Sequence, residues 1–109
     1  MSKYQRTKGA TFERWVVRFL RGFDRWEPRR ILQSQGGQVA GSDVHWGPYA
    51  IECKVGKLPN PRAALKQAEG DAQADQVPMA VIKDDRCEPF VVMRLADWVE
   101  CLGEVTCSQ

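Results

Sequence analysis

The sequence predicts a single α/β domain in which a small mixed β-sheet is flanked by helices. Three observations carry that prediction. Phe12, Trp15, Val16, Phe19, Leu20 and Phe23 recur at the i, i+3, i+4, i+7 spacing of an amphipathic helix. Two apolar-rich runs meet at Gly47-Pro48, the turn signal of a β-hairpin. Two further strand-like runs, Pro78 to Lys83 and Pro89 to Arg94, follow a proline-punctuated helical segment. At 109 residues the chain can bury one core but not two, so residues 1–109 read as one domain. No internal repeat, low-complexity tract or linker divides it.

The elements follow in the order α-β-β-β-α-β-β-α. Periodicity predicts the first helix over residues 10–23, with Arg14, Arg18, Arg21 and Arg25 opposite the apolar stripe. Glu13 lies at the border of that stripe, where it reaches a cleft between helix and sheet or simply favours the helix N-terminus through the macrodipole. Pro28 excludes a continuation of the helix. Arg30 to Ser34 reads as a short strand and Gly36-Gly37 as a loop. The hairpin occupies residues 43–55. Asn60 can cap a second helix with Pro61 at its first position, running from Arg62 to about Gln73 on a narrow face of Ala64, Leu65, Ala68 and Ala72. After the last two strands, Leu95 to Leu102 reads as a short helix with Trp98, Val99 and Leu102 inward and Gly103 ending it.

Composition excludes several classes. With 43% hydrophobic and 28% charged residues, the chain is ordinary for a globular protein and not for a disordered one. The N-terminus has no apolar region of a signal peptide, and no run approaches membrane-spanning length, which favours the cytoplasm and no membrane partner. The four cysteines, Cys53, Cys87, Cys101 and Cys107, form no Cys-x-x-Cys pair and have one histidine between them, so a structural zinc site is not expected. The net charge of +2 is unevenly spread: residues 1–30 hold nine of the 16 basic side chains and three of the 14 acidic ones. A basic first third suits a polyanion; it equally suits a solvated helix face.

The chemistry concentrates in the hairpin. Glu52 and Lys54 share one face of its second strand, while Ile51, Cys53 and Val55 point to the other. An acid and a base on an otherwise apolar strand are costly to bury unless something polar sits beside them. With Asp43 nine positions before Glu52, a divalent metal ion is the simplest candidate. His45 stays outside the catalytic set, and Trp46 and Tyr49 read as packing residues around the turn.

Asp43, then Glu52-x-Lys54, behind a helix carrying Glu13, resembles the PD-(D/E)XK nuclease superfamily, and within it the small Holliday-junction-resolvase-like and phage-type endonucleases. The resemblance covers nearly the whole chain in element order but is short at the level of residues. It implies a restriction-endonuclease-like core and a Mg²⁺-dependent deoxyribonuclease, with Mn²⁺ as a substitute. It further implies that Asp43, Glu52 and the backbone carbonyl of Cys53 hold the metal. Lys54 would orient a water or stabilise phosphoryl charge, and Glu13 would assist through water. Gln67 is similar to a polar helix residue near the site in several subfamilies, although Asp71 stands where a tyrosine is usual. Ser42 replaces the motif's proline and is a candidate for a phosphate or backbone hydrogen bond. Arg6, Lys8, Arg14, Arg18 and Lys57 are the expected phosphate contacts, which position DNA without reading its sequence. The expected substrate is branched DNA such as a Holliday junction, cut by a homodimer. The alternatives are a nicking or restriction-like nuclease with the same site and a catalytically silent DNA-binding module.

Overall fold

The computed structural model describes residues 3–31 and 43–107. Eight elements follow one another: α1 (Lys3–Arg21), β1 (Arg29–Arg30), β2 (Val44–Trp46), β3 (Tyr49–Gly56), α2 (Pro61–Asp71), β4 (Val77–Asp84), β5 (Phe90–Val92) and α3 (Leu95–Cys107). The strands form one sheet in the order β1-β2-β3-β4-β5. Every neighbouring pair is antiparallel except β3 and β4, so the sheet is mixed. A parallel pair needs a crossover, and α2 supplies it. Asn60 starts α2 as expected, its side chain accepting the N–H groups of Arg62 and Ala63, with Pro61 at the first helical position.

The alternation along β3 separates two apolar layers. Ile51 and Cys53 face α1 and join Phe12, Val16, Val17, Val44 and Tyr49 in the larger cluster. Ala80 and Ile82 of β4 face the other way, against Ala64 of α2. Ile82 is completely buried in that thinner layer. Ile82→Ala is expected to lower stability by about 2–5 kcal/mol, measured as a shift in the urea midpoint at unchanged slope.

The hairpin turn is fixed by a close approach. Gly47 has φ +57°, and a Cβ there would lie 2.3 Å from the ring of Trp26. That ring packs edge-on to Trp46 and Tyr49, and the Trp46 indole N–H donates to the Trp26 carbonyl at 3.1 Å. Trp46 and Tyr49 are thus packing residues.

Four features depart from the sequence expectation. First, α1 begins at Lys3, so the basic N-terminal stretch is part of the helix. Second, its buried face is rotated to include Val17, while Trp15, Phe19 and Phe23 remain 37%, 52% and 53% exposed. Those rings pack on each other along the helix, at centroid distances of 5.2 and 5.4 Å, instead of on the sheet. Third, α3 runs through Gly103 to Cys107, since a single glycine costs a helix only about 1 kcal/mol. Trp98, Val99 and Leu102 are about half exposed on it, not inward. Fourth, β1 comprises only Arg29 and Arg30; the expected strand residues 32–34 and the Gly36-Gly37 loop lie outside the described residues. Among the described residues, no helix is long and apolar enough to cross a membrane.

Candidate active site

The site forms where β3 outruns its partner. The β2–β3 ladder stops at Val44, the first residue of β2, opposite Ile51, so residues 52–56 of β3 continue beyond it. Asp43 bridges the step. Its backbone N–H donates to the Ile51 carbonyl at 2.9 Å, its carbonyl accepts from Ile31, and its Oδ2 accepts the Cys53 N–H at 2.8 Å. Asp43 is thus held at three points, two on its backbone and one on its carboxylate, which takes the place of the missing strand beside Cys53.

Glu52 lies next to that N–H and points to the α2 side, as does its register partner Ala80. It is 3% exposed, yet its Oε1 has no hydrogen-bond partner. Its Oε2 lies 3.5 Å from Lys54 Nζ, an ion pair too long to be a strong hydrogen bond. Burial, with the Asp43 charge adding to it, pushes the Glu52 carboxyl up to about 8. Burial also raises Asp43, against the pull of the Cys53 N–H. Two carboxylates that resist ionising together form a site short of positive charge.

A cleft of about 640 Å³ opens over this pair. Its walls include Arg6 and Glu13 of α1, Arg30 and Ile31, Asp43, Glu52, Cys53 and Lys54, and Gln67 of α2. Seven of the residues singled out from the sequence (Arg6, Glu13, Asp43, Glu52, Cys53, Lys54 and Gln67) therefore share one cavity. The Cys53 side chain faces the core, where burial pushes its thiol well up, so only its backbone belongs to the cleft chemistry.

Other expected residues lie elsewhere. Lys8 donates to Asp85 at 2.6 Å and lines a separate apolar hollow with Tyr4 and Trp15. Arg14, Arg18 and Lys57 are exposed and do not line the cleft. Arg14 and Arg18 lie on the solvent side of α1, as their place opposite the apolar stripe implied, and Lys57 follows the end of β3. Ser42 lies outside the described residues. His45, half-buried on β2, is likewise absent from the cleft walls, and burial lowers its imidazole, helped by Arg29.

Arg30 is the residue that sequence reasoning missed. Its Nε donates to Glu13 Oε1 at 2.9 Å, and both side chains are mostly buried, at 25% and 19% exposure. Glu13 is consequently a pinned partner and not a free outer carboxylate, although burial still raises it above the usual range. The available signal was positional: an arginine at the end of a short strand, paired in register with Val44 beside Asp43.

The donor set fits a hard divalent cation in part. Two carboxylates and one strand carbonyl are oxygen ligands of the right kind, and such ions retain several waters. Among the described residues, no group of three or more His, Cys, Asp and Glu side chains is gathered to hold a metal. The buried, unpartnered Glu52 Oε1 is the observation that a cation would resolve. No family model, curated protein or solved structure matches this chain.

Proposed function

We propose that this protein is a divalent-metal-dependent DNA endonuclease that hydrolyses phosphodiester bonds, with branched DNA as its preferred substrate. The observation that carries the reading is the buried, unpartnered Glu52 Oε1 beside the anchored Asp43 carboxylate, at the floor of an open cleft with basic walls. Asp43, Glu52 and the Cys53 carbonyl would hold Mg²⁺ or Mn²⁺. When bound, that ion would polarise the phosphoryl group and acidify a water.

The chain's own residues supply the rest. The Cys53 N–H fixes the direction of the Asp43 carboxylate. Lys54, on the same strand face as Glu52, offers an ammonium to charge developing on phosphorus. Arg30 keeps one edge of its guanidinium on Glu13 and offers its other N–H groups to a phosphate oxygen. Arg6 and Gln67 contribute further donors from opposite walls.

Labelled four-way junction, flap and linear duplex incubated with Mg²⁺, Mn²⁺ or EDTA test this reading. Junction cleavage that requires the cation supports it. Equal cleavage of all three removes the preference for branches, and binding without cleavage in either metal favours a silent DNA-binding module. Arg30→Ala is expected to lower kcat/KM about 100-fold and to destabilise the fold by about 1–2 kcal/mol, because Glu13 loses its partner. Arg30→Lys should restore little of the activity, since an ammonium cannot span both partners as a guanidinium does.

A further inference from the structure

The N-terminal half of α1 divides two openings. Arg6, Gly9, Ala10 and Glu13, at i, i+3, i+4, i+7 spacing, wall the cleft over Asp43 and Glu52. Tyr4, Thr7, Lys8, Thr11, Phe12 and Trp15, on the adjoining face, wall a second hollow of about 450 Å³. Its floor is the register pair Val55 and Lys83, near the ends of β3 and β4. Val55 lines both openings, so the hollow begins where the cleft ends. Its volume falls in the range of about 300–1,000 Å³ typical of small-molecule sites. Three aromatic rings bound it, and that of Tyr4 is 72% exposed.

The rim of this hollow is positively charged. Lys8 donates to Asp85 at 2.6 Å, which ties α1 to the turn after β4. That hydrogen bond, with the charges of Lys8, Lys83 and Arg86 adding to it, holds the Asp85 carboxyl below its usual range. Three cations therefore surround one carboxylate, while Asp84 alternates to the other sheet face. Lys83 is half-buried and, among the described residues, closes no ion pair of its own. Aromatic walls suit a flat ring, and an uncommitted ammonium at their edge suits an anion attached to it.

We propose that the hollow takes one unpaired nucleobase of a DNA strand that runs on into the cleft, with that nucleotide's phosphate on Lys83. A nucleobase is a flat ring linked to an anion, which matches both the walls and the rim. Continuity at Val55 favours a strand over a free nucleotide, because a backbone entering the cleft passes the mouth of the hollow. A paired base must first be unstacked and unpaired, at a cost in free energy. At a branch, a flap or a gap that cost is already met. The hollow thereby adds to a preference for branched DNA through stacking, which tolerates any base and reads no sequence. This inference rests on the DNA reading of the cleft and not on cleavage there.

Binding measured in EDTA tests it. Fluorescence anisotropy of the full chain with a short labelled oligothymidylate is expected to show binding about 10-fold tighter than to an abasic strand of the same length. The double variant Thr7→Leu/Thr11→Leu fills the hollow from two exposed positions with better helix formers, so it should fold and bring that ratio close to one. Lys83→Gln should weaken both probes several-fold and leave the ratio alone, because a phosphate contact does not sense the base. Failure to bind oligothymidylate, equal binding of the two probes by wild type, or a ratio that survives in the double variant overturns the proposal. So does a Lys83→Gln variant that binds both probes like wild type. Thymidine 5′-monophosphate that competes at equal concentration makes the occupant a free nucleotide and also overturns it. Base-dependent binding by a protein that cuts no junction in Mg²⁺ removes the nuclease reading and keeps the hollow. Junction cleavage with equal binding of the probes does the reverse.

Discussion

Glu52→Gln is expected to lower Mg²⁺-dependent cleavage about 1,000-fold while leaving DNA binding within a few-fold of wild type. Glutamine keeps the shape and one carbonyl oxygen but removes the charge that would neutralise a cation in a buried position, a loss worth several kcal/mol at such a site. Asp43 remains anchored by the Cys53 N–H, so the cleft keeps its form. The measurement is single-turnover cleavage with enzyme in excess, alongside a binding titration in Ca²⁺ or EDTA. Cleavage by the variant at the wild-type rate would remove Glu52 from the chemistry. Binding lost in step with cleavage would make it a structural residue.

The second large effect concerns stability, and it runs opposite to the usual consequence of altering a buried residue. The Glu52 carboxyl, near 4.5 in an unfolded chain, is pushed up to about 8 in the fold. Between those values the folded state binds a proton that the unfolded state has released, so stability falls as pH rises. The fall approaches its limit of about 1.4 kcal/mol per pH unit where the two forms differ most, or roughly 2–4 kcal/mol between pH 5 and pH 8. Below pH 4.5 the contribution is fully present; above about 8 it is gone. Glu52→Gln should flatten that slope and make the metal-free protein more stable than wild type at pH 8. Millimolar Mg²⁺ or Mn²⁺ should restore stability to wild type at pH 8 and do little for the variant. Chemical denaturation at pH 5, 6.5 and 8, with cation and with EDTA, reads all of these outcomes.

The hairpin, the Asn60 cap and the two strands after α2 were legible because each has a local cause. Gly47-Pro48 marks the turn, Asn60-Pro61 marks the helix start, and alternation separates Glu52 and Lys54 from Ile51 and Cys53. The acid pair was legible for the same reason, since both members belong to one short hairpin. What sequence could not supply was orientation. The six apolar positions of the predicted first helix are compatible with a stripe centred on Phe12 and Val16 or one displaced toward Trp15 and Phe19. Tertiary packing chose the former and buried Val17 as well. Arg6 reaches the cleft because α1 begins at Lys3, ahead of the predicted start, while Arg14 and Arg18 stay on the solvent side. Arg30 escaped notice because its role depends on Glu13, 17 residues earlier, and no local pattern joins them.

The overhang of β3 past β2 also orders events in time. A hairpin closes in about 1–10 μs, whereas the parallel β3–β4 pairing must await a crossover through α2. Asp43 and Glu52 are therefore neighbours while water still surrounds them, and their repulsion is weak at that stage. Their conflict is expected to grow as α1 and α2 close over the strand and bury the pair. A divalent cation bound there, as proposed, would relieve a late conflict, and interactions absent from the folding transition state act on unfolding. Divalent cations should thus hold this molecule folded by slowing its escape from the native state, with its rate of folding almost untouched.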